Sequence, residues 1–181
     1  FDPRGGSLLS VSLSYSPRFL GSTLSYIRSF SQYTMYKEIG GSLTWASSYR
    51  LGLASAFGEN LIPSKRFFAG GGTSIRGFKL DAVGPLDLWT GLPEGGEATV
   101  VMNQELRFPI YKMFRGVIFF DAGNVYSRLK DLNPLRLRTG AGFGLRIDTP
   151  VGLIRVDYGL NLKPRTGEPR STIFFSLGQA F

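Results

Sequence analysis

The sequence contains no cysteine and no histidine among its 181 residues. Without these two side chains the chain cannot form disulfides, use thiolate nucleophiles or histidine bases, or build most transition-metal sites. No grouping of serine, aspartate and lysine has catalytic spacing either. We therefore predict a protein that is not an enzyme, with no catalytic residues, no metal and no cofactor.

Long apolar runs are also missing, because no stretch approaches the roughly eighteen consecutive apolar residues of a membrane-spanning helix. The formal net charge is +8, but Lys and Arg occur one or two at a time and form no basic run. Since the chain has neither a basic run nor a recognisable binding module, a nucleic-acid partner is not predicted.

What the sequence does contain is an alternation of apolar and polar residues with a period of two, which is typical of β-strands. In the segment 136–148, charged residues and glycines alternate with mostly apolar ones. The segment 151–161 repeats this pattern, and in the segment 7–16 serines take the polar face. The periodicity predicts eight strands, at residues 7–16, 22–36, 42–57, 97–108, 113–125, 136–148, 151–161 and 171–181.

The length and the charged face of these strands indicate a membrane barrel. Strands of soluble sheets usually have five or six residues, whereas a tilted membrane-spanning strand needs about 9–11. A barrel in lipid has an apolar outside and a polar lumen, which accounts for one face that carries Arg, Asp and Gly on successive strands. A soluble all-β protein is the alternative.

The connections support the same interpretation. The segments 58–96, 126–135 and 162–170 are long and alternate with short turns, as in outer-membrane barrels, where the long loops are extracellular. The predicted fold class is therefore all-β: a transmembrane antiparallel β-barrel with about eight strands in this chain and a long extracellular loop after strand 3.

Several motifs occur in the order in which one known family carries them. They are RFFAGGGTSIRGF, VGP, NQELRFPI, RGVIFFDAGNVY, GAGFGLRIDTPVGLIRVDYG and FFSLGQAF. Together they resemble the BamA/TamA superfamily (bacterial surface antigen type) of outer-membrane barrel-assembly and translocation proteins. The resemblance implies the C-terminal half of a sixteen-stranded barrel. Residues 1–181 would then form one transmembrane β-barrel domain, with no POTRA domain present.

The resemblance also implies a role for a loop motif formed by Ile75, Arg76, Gly77 and Phe78. The loop is expected to fold back into the lumen, where Arg76 meets the acidic positions Glu105 and Asp121 on the inner wall. A guanidinium suits this task because it offers a planar fork of donors to carboxylates and stays charged when it is desolvated. The alternative is a solvated loop with an incidental arginine.

Whether the lumen can hold this loop depends on the number of strands. The interior of an eight-stranded barrel is filled by its own side chains, so a chain that closes alone would leave Arg76 at the mouth. A second copy, or a missing barrel half, would make room. The loop is then expected to approach the wall through positive-φ glycines, which are Gly70, Gly71, Gly72 and Gly77. Further charged residues predicted to face the lumen are Arg107, Arg138, Arg146, Asp148, Arg155 and Asp157.

The last predicted strand carries a second site, formed by Phe175, Gly178 and Phe181. The resemblance implies that this strand is a signal for insertion and one side of a lateral seam with strand 1. Gly178 matches the glycine at which the family's last strand can bend inward, and a glycine inside a strand permits a kink. The alternative is an ordinary last barrel strand.

Two functions fit these predictions. The first is an outer-membrane β-barrel of the assembly or translocation type, which assists insertion or translocation of proteins through a weak lateral seam between the first and last strands. Its partners would be membrane lipids, nascent outer-membrane proteins or a secreted protein, and a second copy or a missing barrel half. The alternative is a small eight-stranded structural barrel or poorly conducting pore without assembly activity. Both would lie in a bacterial-type outer membrane.

Overall fold

The computed structural model describes residues 3, 5–20, 24–58, 60–150 and 152–181. They form one antiparallel sheet of eight strands, in which each strand pairs with the next along the chain. The strands are β1 Gly6–Ser16, β2 Tyr26–Ile39, β3 Leu43–Ala56, β4 Ala98–Tyr111, β5 Phe114–Tyr126, β6 Arg138–Thr149, β7 Gly152–Asn161 and β8 Ser171–Leu177. The predicted all-β fold with eight antiparallel strands is confirmed.

The described residues also contain short helices. Three single-turn 3₁₀ helices lie in the connections, at Arg18–Leu20, Pro63–Lys65 and Leu129–Asp131. Within the described ranges, none of the helices has the length and apolar character needed to cross a membrane.

The strand ends differ most from the predicted ends in β2, which spans Tyr26–Ile39 instead of 22–36, and in β8. β8 ends at Leu177, so the prediction that the last strand continues to Phe181 was wrong. The physical reason is Gly178, whose φ of 87° is incompatible with a strand. Residues 22, 23 and 151, which the predictions included in the second and seventh strands, lie outside the described residues.

The two faces of the sheet differ as the alternation predicts. We call the face covered by the β3–β4 connection the inner face. On β7, Arg155 and Asp157 lie buried on this face, whereas Ile154 and Leu160 on the opposite face are exposed. This is the distribution of a wall that has lipid on one side and a polar interior on the other.

Long and short connections lie at opposite ends of the sheet. The β2–β3, β4–β5 and β6–β7 connections form the short-turn end, and the β1–β2, β3–β4, β5–β6 and β7–β8 connections form the long-loop end. The predicted alternation of short and long connections is therefore present.

The sheet is open. β1 and β8 are its two edges, and the strand pairings of the described residues include none between them. A closed eight-stranded barrel, considered from the sequence, is not what the chain forms. An open sheet leaves its inner face free to carry other parts of the chain.

The inner face carries the β3–β4 connection, residues 57–97. Four buried apolar residues of this connection pack against Val101 of β4 and Val125 of β5; they are Ala69, Ile75, Phe78 and Val83. A second cluster joins Leu61 and Phe67 to Ala54 of β3. Isolated bridges such as Phe67 with Gly96 hold the two arms of the connection together. The connection is therefore a packed layer, which brings its central arginine to the wall.

Candidate functional site

Arg76 lies at the centre of the inner face, with 1% of its surface exposed. Its Nε and Nη2 atoms donate to the two oxygens of Asp121 on β5, at 2.7 and 2.8 Å. Its Nη1 donates to Glu105 Oε1 on β4 at 2.5 Å, and its backbone N–H donates to Asp121 Oδ2 at 3.0 Å. The structure therefore brings Arg76 together with both of the acidic residues named from the sequence.

A second layer of charges surrounds this contact. Arg107 donates through Nε and Nη2 to Glu105 Oε2, at 2.9 and 2.8 Å. Arg146 on β6 donates to Asp157 Oδ1 at 2.6 Å, and Asp157 Oδ2 lies 3.7 Å from Arg76 Nη1. The buried charges of the described residues thus form one cluster, which we call the inner charge cluster: Arg76, Glu105, Arg107, Asp121, Arg146, Arg155 and Asp157.

The guanidinium of Arg76 stays charged in this environment. Burial alone lowers its pKa, but the carboxylate of Asp121, and then that of Glu105, raise it further, so the net pKa lies above its usual value. The plane of the guanidinium also lies over the Phe119 ring, 3.5 Å from the centroid, a contact that lysine would make less well. The position therefore suits arginine in both charge and shape.

Glycines on β6 and β7 make room for the motif. A Cβ placed on Gly140 would lie 2.0 Å from the carbonyl oxygen of Arg76, and one on Gly159 would lie 2.4 Å from the backbone nitrogen of Gly77. Gly77 itself has a φ of 98° and lies against the backbone of Leu160. The backbone of the loop therefore rests directly on the backbone of the wall, which only glycine permits at these positions.

The glycines before Arg76 differ in backbone conformation. Gly70 and Gly71 have φ values of 113° and 98°, as predicted, but Gly72 has no positive φ, so that part of the prediction was wrong. A Cβ on Gly72 would lie 3.1 Å from the Phe174 ring of β8, and its carbonyl oxygen accepts from Arg155 Nη2 at 2.6 Å. Gly72 is therefore a close-packing position rather than a turn.

Other predicted residues lie elsewhere. Ile75 and Phe78 are buried in the apolar cluster on either side of Arg76. Asp148 pairs with Arg115 at the short-turn end, and Arg138 pairs with Glu168 at the long-loop end, so neither belongs to the inner charge cluster.

Two residues were not predicted to contact the loop motif or its acids, although the alternation places Asn103 on the lumen face with Glu105. Asn103 donates to Asp121 Oδ1 at 2.7 Å and to the carbonyl oxygen of Ser74 at 2.5 Å, which fixes both the acid and the loop. Phe119 was also missed as the stacking partner of Arg76. The strand register contains a signal for both, because Asn103 lies opposite Asp121 and Phe119 lies opposite Glu105.

The C-terminal residues occupy two different places. Phe175 is exposed on the outward face of β8. After Gly178 the chain leaves the sheet, and Phe181 stacks on Tyr36 of β2 with 6.5 Å between ring centroids. The Tyr36 hydroxyl donates to the backbone oxygen of Phe181 at 2.8 Å. Phe175 and Phe181 therefore lie on opposite sides of the sheet.

The side chains of the inner charge cluster are joined by ion pairs and hydrogen bonds. Across the ranges that the structure describes, no group of three or more acidic residues is arranged to hold a metal ion. The carboxylates of Glu105 and Asp121 are instead occupied by guanidinium donors. The arrangement can hold a loop in place.

Comparisons with known sequences agree with this architecture. The sequence profile of the Omp85 superfamily domain matches residues 1–181. Outer envelope protein 39, chloroplastic, of Arabidopsis thaliana is 36% identical over 121 residues, which cover 60% of this chain and 31% of that protein.

Two further relatives match over most of the chain. The outer membrane protein assembly factor BamA of Nitratidesulfovibrio vulgaris is 28% identical over 186 residues, 99% of this chain and 23% of that protein. The sorting and assembly machinery component 50 homolog of Homo sapiens is 27% identical over 188 residues, 92% of this chain and 39% of that protein. The chain spans less than two fifths of the length of each of these three relatives.

A solved structure has the same fold. The crystal structure of BamA from Haemophilus ducreyi lacking POTRA domains 1–3 matches with a TM-score of 0.82 at 23% sequence identity. The match covers 96% of this chain and 38% of that one. The eight strands therefore have the fold of part of a larger barrel chain.

Proposed function

Because the chain belongs to the Omp85 superfamily, we propose that it assists the insertion or translocation of proteins in an outer membrane through a lateral seam between β1 and β8. The membership confirms the family that the motifs indicate. Two of its relatives are named as an outer membrane protein assembly factor and as a sorting and assembly machinery component, which supports the assembly role.

The observation that carries the proposal is a contrast between the middle of the sheet and its edges. The middle strands are tied to the β3–β4 connection by the inner charge cluster. Among the described residues, the edge strands β1 and β8 pair with one neighbouring strand each, so one side of each strand faces away from the sheet. A free strand edge accepts an incoming strand by β-augmentation, which is the step that insertion of a barrel protein requires.

In this mechanism Arg76 is a positioning residue. It keeps the β3–β4 connection on the inner face through Glu105 and Asp121. The curvature of the sheet is therefore maintained while the edge strands β1 and β8 change the strands with which they pair. The steps are non-covalent, so the proposal needs no nucleophile, no general base and no cofactor.

Gly178 and Phe175 have different roles: Gly178 weakens the seam, and Phe175 belongs to the insertion signal. The positive φ at Gly178 limits β8 to seven residues, against eleven in β1, so a β1–β8 ladder would be short and weak. Phe175 lies on the lipid-facing side of β8, where an insertion signal would be accessible during assembly. Phe181 points to the interior and is assigned to the seam.

The partners follow from the same geometry. Membrane lipids would cover the exposed apolar residues of the outward face, and a nascent outer-membrane protein or a secreted protein would use the seam. The names of the BamA relatives support a bacterial-type outer membrane, and a chloroplast outer envelope, as in the Arabidopsis relative, is the alternative location. A second copy, or a missing barrel half, would complete the wall.

The arrangement of the seam can be tested by disulfide trapping, because the chain has no cysteine of its own. Ser10→Cys on β1 is combined with Ser176→Cys on β8, both on the inner face, and register is scanned by two residues. The positive control is Ser10→Cys with Gln32→Cys, which lie opposite each other in the β1–β2 pair. A cross-linked monomer means closure within one chain, a cross-linked dimer means two copies, and no cross-link means edges that await another partner.

The function itself is tested with the full chain reconstituted in lipid vesicles. An unfolded outer-membrane barrel protein is added, and its folding is followed by the shift of the folded form on a gel. We expect faster folding than in empty vesicles, loss of the acceleration when the Ser10→Cys and Ser176→Cys pair is oxidised, and recovery on reduction. The oxidised β1–β2 control should stay active. Folding no faster than in empty vesicles would leave the small structural barrel or poorly conducting pore as the function.

A further inference from the structure

A second polar site lies at the long-loop end, away from the inner charge cluster. A groove of about 1090 Å³ lies there between the ends of β5 and β6, the connections 127–137 and 162–170, and the segment Gly84–Pro85. Five basic side chains line it: Lys130, Arg136, Arg138, Lys163 and Arg165.

The acids near the groove do not balance these cations. In the described part of the chain, Arg138 alone among the five has an ion pair, with Glu168. Glu168 Oε2 also accepts hydrogen bonds from Asn161 Nδ2 and the backbone N–H of Arg165. Asp131 is the one acid that lines the groove. A third acid lies nearby, because Glu97 Oε2 accepts from the backbone N–H of Leu129 beside Lys130. Five cations against Asp131, Glu168 and Glu97 leave an excess of two positive charges.

This excess differs from the pairing on the inner face. There, four buried arginines face three carboxylates in direct contact. In the groove the acids compensate the cations only in part, and the remaining positive charge favours an anionic ligand. A phosphate monoester fits best, because it carries a charge of about −1.5 to −2 at neutral pH and offers several acceptor oxygens.

The chain segments that line the groove continue into exposed apolar residues. Leu88, Trp89 and Leu135 are 97%, 95% and 91% exposed, the highest values among the large hydrophobic residues of the described chain. Leu135 lies in the connection that lines the groove, and the hairpin with Leu88 and Trp89 begins directly after Pro85. Exposed tryptophan and leucine beside cations are typical of contact with a lipid headgroup region.

The hairpin is built to hold this exposed pair. Asp87 Oδ1 accepts from the backbone N–H groups of Trp89 and Thr90, at 3.0 and 2.6 Å, and from the Thr90 hydroxyl at 2.8 Å. Leu86 and Pro93 form a bridge at its base. The fixed turn presents the two apolar side chains in one arrangement, so their exposure is a structural feature of the loop.

We propose that this groove binds the phosphate headgroup of an anionic lipid, with Leu88, Trp89 and Leu135 against the apolar part of the same lipid. The cations hold the phosphate. The three apolar side chains make the site selective for a lipid over a soluble phosphate compound. The site lies apart from the seam and does not depend on assembly activity.

The test uses the full chain in detergent with Trp45→Phe, which leaves Trp89 as its single tryptophan, since the sequence has two. Dihexanoylphosphatidic acid is titrated while Trp89 fluorescence is recorded. Dihexanoylphosphatidylcholine has the same acyl chains without the net charge, and glycerol 3-phosphate has the same headgroup without the chains. We expect both to bind at least tenfold more weakly than the phosphatidic acid.

Charge removal in the groove provides the second measurement. Arg136→Gln with Lys163→Gln should weaken phosphatidic acid binding about 30-fold, since each basic group near an anionic lipid contributes roughly fivefold. The matched control is Lys37→Gln with Lys112→Gln, which removes the same charge near the short-turn end and should change nothing. Gel mobility checks that both variants fold.

Three results would overturn the proposal. Equal binding of glycerol 3-phosphate would mean that the groove takes soluble phosphate compounds. Equal binding of the phosphatidylcholine would mean an apolar contact alone. Unchanged affinity in the groove variant, or an equal loss in the control variant, would mean that the cations of the groove do not form a site.

Discussion

The inner faces of β4–β7 and of β1 carry two different kinds of polar surface. On β4–β7 the polar residues are charged, buried and paired with each other and with the β3–β4 connection. On β1 they are Ser10, Ser12 and Ser14, which are exposed. The same alternation of polar and apolar residues therefore produces a fixed surface in one half of the sheet and an unoccupied one in the other.

The difference indicates which residues of the inner face contribute most to the free energy of unfolding. Charges taken out of water must be paired, so each arginine on β4–β7 is committed to particular carboxylates. Serine hydroxyls need little compensation, and β1 can leave one partner for another at a small cost. The charged half is therefore the stable wall, and the serine half is the part that can move.

The largest effect is expected from Arg76→Ala. The substitution leaves Asp121 and Glu105 buried beside an empty space, and removal of one partner from a buried ion pair costs about 3–5 kcal/mol in the free energy of unfolding. The measurement is guanidinium-induced unfolding of the full chain in lipid vesicles, with hydrogen exchange of residues 70–78 as a local readout.

Arg76→Lys is the matched control for this experiment. It keeps the charge but loses the two-pronged contact with Asp121 and most of the stacking on Phe119, so an intermediate loss is expected. A loss below about 1 kcal/mol for Arg76→Ala would contradict the view that the cluster fixes the loop.

A smaller loss is expected from Gly140→Ala. The added Cβ would lie 2.0 Å from the carbonyl oxygen of Arg76, and overpacking of this kind costs about 1–3 kcal/mol. The control is Gly5→Ala, where a Cβ meets nothing within 4 Å. Hydrogen exchange should quicken around Arg76 in the first variant alone. Equal stability of the two variants would show that the loop does not rest on the wall at Gly140.

The last pair of substitutions tests the comparison itself. Ser48→Leu on β3 and Ser10→Leu on β1 make the same change on the inner face, at a buried and at an exposed position. We expect a loss of about 1–3 kcal/mol for Ser48→Leu and within about 0.5 kcal/mol for Ser10→Leu, both from unfolding in vesicles. An equal loss at Ser10 would reveal that another part of the assembly covers β1.

The sequence was sufficient to predict the strands and the faces of their residues. All eight strands follow from the period of two, because one buried face forces the alternation along the whole strand. The contact of Arg76 with Glu105 and Asp121 required the resemblance, since no local rule connects residues 76, 105 and 121 across three segments of chain.

Other features depend on geometry that no sequence pattern states. The end of β8 at Leu177 depends on the φ of one glycine, and many strand glycines have ordinary values. The alternation places Gly140 and Gly159 on the polar face of their strands. The sequence does not show that the loop backbone packs against them, because a glycine has no side chain that would indicate its neighbour. The sequence does not distinguish an open sheet from a closed barrel, because eight strands can form either.

The contact between Phe181 and Tyr36 has a consequence for how far the two edges of the sheet can separate. It includes a hydrogen bond and a pair of stacked rings, and Arg107 lies over the Phe181 ring, 5.8 Å from its centroid. The backbone N–H of Gly178 also donates to the carbonyl oxygen of Leu153. The last four residues therefore hold the end of β8 near β2, so the two edges cannot move apart at this end without breaking these contacts.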